Sequence, residues 1–363
     1  MKRPGFSITL ILLIMIAAVF PASAALTVDV TFSNTDLQTA LGGPAGVIAT
    51  QVSGDLAKYS DVPDLARGFG NASAYSSHAS TLRGYQGYDL FAISVGSMVA
   101  VQAPNDDPQF YKDLSDELDT GDVYGGIGVT PFVAQAGLNL GFILDGLYLS
   151  FMFGKFHVNI DEGDFKLKHD ENLIGFNLTY QLVSEKSILA GLLLWRGLSI
   201  QSGVIHYNNI TTFYNELDEI NGTDTVTTYT VSYTIDPSVD FEIETQGNII
   251  PVEIYTGVRI FYVLNIGVGG GFDYVLNGKT DITLKSAGNV VITDDGASNA
   301  SGYVGDTGKI TVDAGTSGIK SDRYRPKLLV NIGFGIGPVF IDFPVSYYLD
   351  NGYAVGVTAG CVW

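Results

Sequence analysis

Four histidines and their acidic neighbours are the residues of this sequence whose types suit acid–base or metal chemistry. The histidines are His78, His157, His169 and His206. They are scattered, with no i, i+4 pair and no HExxH motif. His157 and His169 flank the carboxylates Asp161 and Glu162, but no nucleophile elbow accompanies them. The sequence therefore favours a protein without catalysis, metal or other cofactor, and a hydrolase is the least favoured class.

A second group of charged residues lies inside segments where large apolar residues alternate with small or polar ones. The group comprises Arg196, Glu253, Arg259, Asp273 and Asp342. If these segments are strands of a membrane barrel, an Arg facing lipid at the midplane would cost about 2–4 kcal/mol. We therefore expect all five side chains to face the lumen, and Arg259 to pair with Glu253, Asp273 or Asp342.

An inward Arg196 also fixes the direction of its apolar neighbours. Leu192 and Leu194 lie an even number of residues from Arg196 and therefore point to the same side of the strand, which we call the same parity. Alternation in other segments places Phe261 and Phe340 inward as well. The same parity includes Ala190, Leu198 and Ile200. Such an apolar stripe favours a path for a hydrophobic cargo. Packing of these residues against an N-terminal plug is the equally good alternative.

The elements that must carry these residues are strands. Residues 328–337, 339–348 and 353–363 alternate large apolar side chains with small or polar ones. Segments of about ten residues with this pattern are typical of transmembrane barrels. The predicted strands cover roughly 88–101, 123–142, 147–160, 171–183, 188–206, 248–263, 266–277, 326–336, 338–348 and 353–363.

The predicted fold class is all-β: an antiparallel transmembrane β-barrel of about ten strands, within a range of 10–14. Tight turns at Asp145-Gly146, Ser184-Glu185-Lys186, Leu264-Asn265 and Gly337-Pro338 alternate with long connections over 102–122, 161–170, 207–247 and 278–325. Short periplasmic turns and long outer loops are typical of this class. The long connections concentrate acidic residues, for which a solvated surface is favoured over a calcium site because no calcium-loop spacing is present.

Composition agrees with an embedded barrel. The 363 residues include 44 Gly, 12% aromatic and only 16% charged residues, with a net charge of −19. The acidic balance excludes a nucleic-acid binder, because negative charge repels phosphate. A single cysteine, Cys361, excludes a disulfide framework and a thiolate metal site.

The N-terminus has the layout of an exported protein. Lys2 and Arg3 precede a short apolar run, and Ala22-Ser23-Ala24 matches a cleavage pattern, so residues 1–24 are a predicted signal peptide. Residues 85–363 are the predicted barrel. Residues 25–84, mostly helical in type over 33–69, are predicted to plug the lumen or to lie in the periplasm.

The small-residue run Arg67 to Ser76, placed before the first strand, resembles the hatch of the long-chain fatty-acid transporter family of outer-membrane barrels. The final aromatic residue, Trp363, resembles the signal read by the barrel insertion machinery. These resemblances imply a plugged barrel in the bacterial outer membrane.

The predicted function is passive transport of small hydrophobic molecules through a plugged lumen, by a monomer whose partners are membrane lipid, the insertion machinery and a hydrophobic ligand. The alternative is a surface adhesin or structural barrel that acts through long acidic outer loops.

Overall fold

A computed structural model describes residues 27–43, 46, 49–50, 62–85, 87–103, 125–163, 165–188, 192–216, 219–226, 229–293 and 301–363. The predicted signal peptide and the acidic connection around 105–122 lie outside these residues. Within them, no helix is both long enough and apolar enough to cross a bilayer.

Strands dominate the described chain. In order, the elements are β1 (Thr27–Phe32), α1 (Thr35–Leu41), α2 (Val62–Ser76), β2 (Phe91–Gln102), β3 (Gly126–Asn139), β4 (Leu147–Glu162), β5 (Phe165–Val183), β6 (Lys186–Ile188), β7 (Leu193–Glu216), β8 (Ile220–Val226), β9 (Tyr229–Ile260), β10 (Leu264–Thr293), β11 (Thr307–Lys320), β12 (Tyr324–Ile336), β13 (Val339–Tyr348) and β14 (Gly352–Val362).

Ten of these strands close into an antiparallel ring, as the sequence predicted. The ring runs β2-β3-β4-β5-β7-β9-β10-β12-β13-β14 and returns to β2. It closes because β10 pairs with β9 along one edge and with β12 along the other, while β14 pairs with β2. The fold is therefore a closed β-barrel.

The outer face of the ring is an apolar band. On β13, Val339, Ile341, Phe343 and Val345 are exposed, while the alternating residues are buried inside. The same face of β2, β3, β5, β12 and β14 carries exposed Val, Ile, Leu and Phe side chains. A soluble protein rarely exposes so large an apolar surface, whereas a bilayer requires one.

The two ends of the barrel differ. Short connections over 140–146, 184–185, 261–263 and 337–338 gather at one end, which barrel convention makes periplasmic. The β9–β10 turn lies at 261–263, not at Leu264-Asn265 as predicted. There Phe261 and Tyr262 adopt φ angles of 51° and 65°, and both rings are exposed at the membrane edge.

At the opposite end, strands continue beyond the ring into an outer sheet. β9 pairs with β10 as far as Ser232 and Thr293, and β11 pairs with the distal part of β10. The prediction of loops over 207–247 and 278–325 was therefore wrong for most of both segments. The acidic residues that suggested solvated loops occupy one exposed face of a sheet; Asp236, Asp240, Glu242 and Glu244 alternate with buried neighbours along β9.

The outer sheet has its own core, to which the N-terminal residues contribute. β1 pairs with β11, and α1 packs beside it. The core contains Val28, Val30, Phe32, Leu37, Leu41, Val231, Tyr233, Ile235, Val290, Ile292, Ile310 and Val312. Asn34 begins α1 by accepting hydrogen bonds from the Asp36 and Leu37 N–H groups. Residues 27–41 therefore belong to the outer sheet and not to a plug.

Helix α2 begins against the outer sheet, where Leu65, Ala66 and Phe69 pack on β9, β10 and β11. Its later turns and the described residues of 77–88 lie inside the ring, and we call this whole segment the plug. Small side chains allow this fit: a Cβ on Gly126 or Gly128 of β3 would stand 2.0–2.3 Å from the backbone of Gly68 or Ala72 in α2. A helix that approaches a strand so closely requires glycine at the contact. The predicted unit 25–84 thus divides into an outer part and a lumenal part.

Candidate functional site

The plug is held to the barrel wall by a buried ion pair. Arg83 donates from Nε to Glu253 Oε2 at 2.6 Å and from a terminal nitrogen to Glu253 Oε1 at 2.7 Å. Both side chains are almost completely buried. A guanidinium and a carboxylate in this two-bond geometry give one of the strongest contacts available to side chains.

Lys327 of β12 extends this pair into a network. Its Nζ lies 2.6 Å from Glu253 Oε1 and 2.7 Å from Asp273 Oδ1. His78 of the plug has Nε2 3.1 Å from Asp273 Oδ2, and Tyr348 donates to the same oxygen at 2.9 Å. We call Arg83, Glu253, Lys327, Asp273 and His78 the charge cluster. With His78 neutral, its two cations balance its two carboxylates.

A second set of contacts holds the outer half of the plug. Arg325 of β12 donates to the Asn71 main-chain oxygen at 3.0 Å and also to the Asn71 side chain. Asn71 in turn donates to Asp322 at 2.7 Å. The rings of Tyr75 and Tyr348 stack with centroids 3.7 Å apart. The helix is therefore fixed at more than one height in the lumen.

The inner end of the plug rests on two predicted lumenal residues. Tyr85 stacks on Phe340 with ring centroids 3.9 Å apart. Its hydroxyl lies 3.3 Å from Asp342 Oδ1, which also accepts from Asn331 at 3.1 Å. Phe340 thus packs against the plug, which is the alternative that the sequence left open for the apolar lumenal residues.

The predicted salt bridge of Arg259 is not formed. Glu253 pairs with Arg83 and Lys327, and Asp273 pairs with Lys327. Asp342 accepts hydrogen bonds from Tyr85 and Asn331. Arg259 instead lines a cavity of about 390 Å³ at the periplasmic end of the plug, together with Arg196. Arg196 reaches Glu185 and Asn265, each at 3.4 Å. The physical reason is that the plug and β12 supply closer cations to the two carboxylates.

Leu194 is buried, but two other predicted lumenal residues are not. Leu192 is 47% exposed and Phe261 is 69% exposed, both at the periplasmic edge. Further along β7 the predicted stripe also fails, because the register shifts between Trp195 and Leu198. Gly197, with φ at 78°, permits this bulge.

The bulge reverses the parity of the strand. Ser199 and Gln201 face the lumen beyond it, while Ile200 is exposed on the lipid face. The inward run of Leu198 and Ile200 is therefore replaced by polar side chains.

The sequence did not predict lumenal positions for Arg83, Arg325 and Lys327, and it indicated His78 only as one of four scattered histidines. Lumenal positions for Arg325 and Lys327 could have been predicted, because on β12 they point to the same side as Leu329 and Asn331. Arg83 and His78 lie in the irregular part of the plug, where no periodicity gives a direction. Charge balance alone predicted that cations such as these are present, because the buried carboxylates of Glu253 and Asp273 require them.

The residues considered for hydrolysis lie at the outer surface. His157 contacts the exposed Asp170 at 2.6 Å, and Asp161 lies 3.4 Å from Lys166. His169 Nδ1 lies 2.9 Å from the Thr211 hydroxyl. Across the described part of the chain, no group of three or more metal-ligating side chains converges.

Comparison with known proteins gives one family and several distant structures. A family model described as Lsa36-like matches residues 21–363. No curated protein matches. The model found is not that of the long-chain fatty-acid transporters, so that resemblance stays a prediction.

Three solved structures illustrate the similarity. The toluene transporter TbuX of Ralstonia pickettii is 10% identical, with 82% of this chain and 99% of that chain covered and a TM-score of 0.30. The translocator domain of the autotransporter NalP from Neisseria meningitidis is 11% identical, with 77% and 90% covered and a TM-score of 0.31. CarO of Acinetobacter baumannii is 12% identical, with 61% and 96% covered and a TM-score of 0.27. Similarity at this level does not assign a function.

Proposed function

This chain belongs to the Lsa36-like family, and we propose that it is a barrel of the bacterial outer membrane through which small hydrophobic molecules pass when its plug moves. The ring spans the bilayer with its apolar band, and the plug closes the lumen at rest. The observation that supports this proposal most directly is the set of hydrogen bonds and ion pairs that joins the plug to the wall.

Polar contacts suit a segment that must move. Ser80 of the plug lies 2.8 Å from Ser94 of β2, and Thr130 of β3 donates to Ser76 of α2 at 3.2 Å. Water can replace hydrogen bonds when the plug shifts, and each bond contributes only about 0.5–1.5 kcal/mol net. Apolar packing over the same area would oppose entry of water much more strongly.

The periplasmic cavity has an apolar side that suits a hydrophobic cargo, beside the charged residues Arg196, Arg259 and Glu185. Tyr85, Tyr88, Phe340, Val362 and Trp363 contribute to its lining. Its volume of about 390 Å³ lies within the usual range for small-molecule sites, about 300–1,000 Å³. Because Tyr85 and Tyr88 belong to the plug, movement of the plug would change this cavity directly.

A reversible cross-link tests the proposal. The Oγ atoms of Ser80 in the plug and Ser94 in β2 are 2.8 Å apart, so S80C and S94C place two thiols within bonding range. Cys361→Ser in the same protein prevents mispairing with the native thiol. The readout is uptake of the fluorophore N-phenyl-1-naphthylamine by cells that express the barrel.

We expect the oxidised protein to reduce uptake to the level of cells without the barrel, and reduction of the disulfide to restore it. The single variants S80C and S94C, each carrying C361S, control for the substitutions themselves. Equal uptake by the oxidised and reduced forms would show that transport does not depend on the plug and would contradict the proposal.

Surface binding is the second candidate function, favoured by the acidic row on β9. Asp240 and Glu242 are exposed on the outer sheet and Glu244 partly so, where a host or matrix protein could reach them. Cells that express D240N, E242Q and E244Q together would then adhere less to immobilised matrix proteins. Unchanged adhesion would remove this row from consideration.

A further inference from the structure

Two arginines converge on the periplasmic cavity with little compensation of charge. Arg196 lies near the start of β7, and Arg259 lies near the end of β9, where it pairs in register with Leu194. Both line the cavity of about 390 Å³ that the inner end of the plug also lines. Two guanidinium groups at one cavity repel each other unless an anion lies between them.

Both guanidinium groups have unused hydrogen-bonding capacity. The Nε atoms of Arg196 and Arg259 are buried, and among the described residues neither has a hydrogen-bond partner. The Arg196 side chain is only 14% exposed. A charged donor without an acceptor is unfavourable, so an acceptor that enters the cavity and reaches these guanidinium groups would stabilise the site.

The carboxylates near the cavity do not supply that acceptor. Glu185 lies 3.4 Å from Arg196, a long contact, and its side chain is 40% exposed. Asp89 is exposed at the rim. Trp363 also lines the cavity, and its main-chain oxygen accepts from the Leu90 N–H at 2.9 Å. Water screens all of these charges more strongly than it screens the buried ends of the two arginines.

Apart from Asn265, the remaining lining consists of aromatic, apolar and glycine residues. Tyr85 and Phe340 form the stacked wall, and Arg196 lies over the ring of Tyr85 at 5.9 Å. Tyr88 and Val362 continue the apolar surface. The site therefore offers a cationic end for a planar anion and an apolar end for the body of the same molecule.

We propose that this cavity binds a small aromatic or apolar monocarboxylate, with its carboxylate held by Arg259 and Arg196 and its apolar body against Tyr85 and Phe340. Guanidinium groups bind carboxylates through paired hydrogen bonds, which neither tyrosine nor asparagine can provide. The inference rests on the proposed function, because it names the class of cargo that would occupy the periplasmic mouth.

Calorimetry of the refolded full-length barrel in detergent tests the inference. The probes are benzoate and benzyl alcohol, which share a ring and differ in the anionic group. We expect benzoate to bind more tightly than benzyl alcohol, and R259Q to weaken benzoate at least tenfold while it changes benzyl alcohol less than twofold. Lys186→Gln is the matched control, since it removes one exposed positive charge at the same end of the barrel but outside the cavity.

The outcomes separate the inference from the proposed function. Equal affinity for both probes, or equal benzoate binding by R259Q and the wild-type protein, would overturn the inference. If R259Q fails to refold, benzoate binding is measured on Arg196→Gln instead. Should benzoate bind as expected while oxidised and reduced S80C/S94C take up the fluorophore equally, the binding site would stand and the transport proposal would fail.

Discussion

Arg83 of the plug and Glu253 of β9 are 170 positions apart in the chain and joined by two hydrogen bonds of 2.6 and 2.7 Å inside the barrel. The pair connects a segment without regular structure to the middle of the wall. This pair is one of the contacts that couple the stability of the plug to the stability of the barrel, and the next two predictions use this coupling.

Replacement of Arg83 is expected to loosen the plug. Arg83→Ala leaves Glu253 buried with Lys327 as its remaining cation, and removal of one partner of a buried pair costs about 3–5 kcal/mol. Because Lys327 still compensates Glu253, we expect a loss near the lower end, about 3 kcal/mol, in urea unfolding of the barrel in vesicles. Planar bilayers should show openings of R83A that the wild-type protein lacks. A variant as stable and as closed as the wild type would contradict a role for this pair in holding the plug.

We expect replacement of Lys327 to lower the free energy of unfolding more than replacement of Arg83 does. It contacts both Glu253 and Asp273, so Lys327→Met brings two buried carboxylates together without the cation between them. We expect a greater loss of unfolding free energy than for R83A, about 4–5 kcal/mol. Asp273→Asn added to K327M removes one of the carboxylates and should recover part of the loss. No recovery in the double variant would show that Lys327 acts by packing and not by charge.

Close packing between α2 and β3 predicts that a larger side chain at position 128 destabilises the protein. A Cβ at Gly128 would stand 2.3 Å from the Ala72 main chain, so Gly128→Val forces the helix away from the wall. Overpacking of this kind costs about 1–3 kcal/mol. We expect G128V to lower the urea midpoint and to raise conductance. Gly302→Ala is the control, because nothing lies within 4 Å of its added Cβ and its midpoint should not change.

The outer sheet should depend on pH through Asp281. Partial burial of Asp281 raises the pKa of its carboxyl, but hydrogen bonds from Lys279, the Gly318 N–H and the Ser317 hydroxyl outweigh that effect and lower the pKa below its usual value. A lowered pKa stabilises the folded sheet above the unfolded-state pKa, about 3.9, and the contribution is lost as the pH falls through the folded-state value.

Hydrogen exchange of β10 and β11, corrected for intrinsic rates, measures this effect. Protection near Gly318 should fall between pH 6 and pH 3 in the wild-type protein. Asp281→Asn should have lower protection at pH 6 and little further change. Parallel curves for the two proteins would exclude Asp281 as the source.

Much of the ring could be predicted from alternation alone. On β13 every second residue is large and apolar because the bilayer requires it, and the structure follows that alternation along the whole strand; on β14 it does so as far as Thr358. The outer sheet could not be recognised in this way. Beyond the bilayer its exposed face carries acidic side chains such as Asp240 and Glu242, which resemble the residues of solvated loops.

The lumen was predictable only where strands are regular. Parity placed Glu253 and Asp273 inside, but a single bulge at Gly197 reversed it on β7. Two of their partners, Arg83 and His78, could not be identified because they come from a segment with no period, whereas Lys327 lies on a regular strand. Contacts between a regular wall and an irregular plug depend on three-dimensional register, which sequence spacing does not encode.

The route of the chain constrains how the molecule is made. β1 pairs at the outer sheet, while Leu90 hydrogen-bonds Trp363 at the periplasmic end. The chain between them passes through the closed ring from one side of the membrane to the other. Biogenesis must therefore carry residues 27–41 across the membrane either before β14 joins β2 or through the ring afterwards. In either order, the topology makes translocation of the N-terminal segment a part of the folding of this barrel.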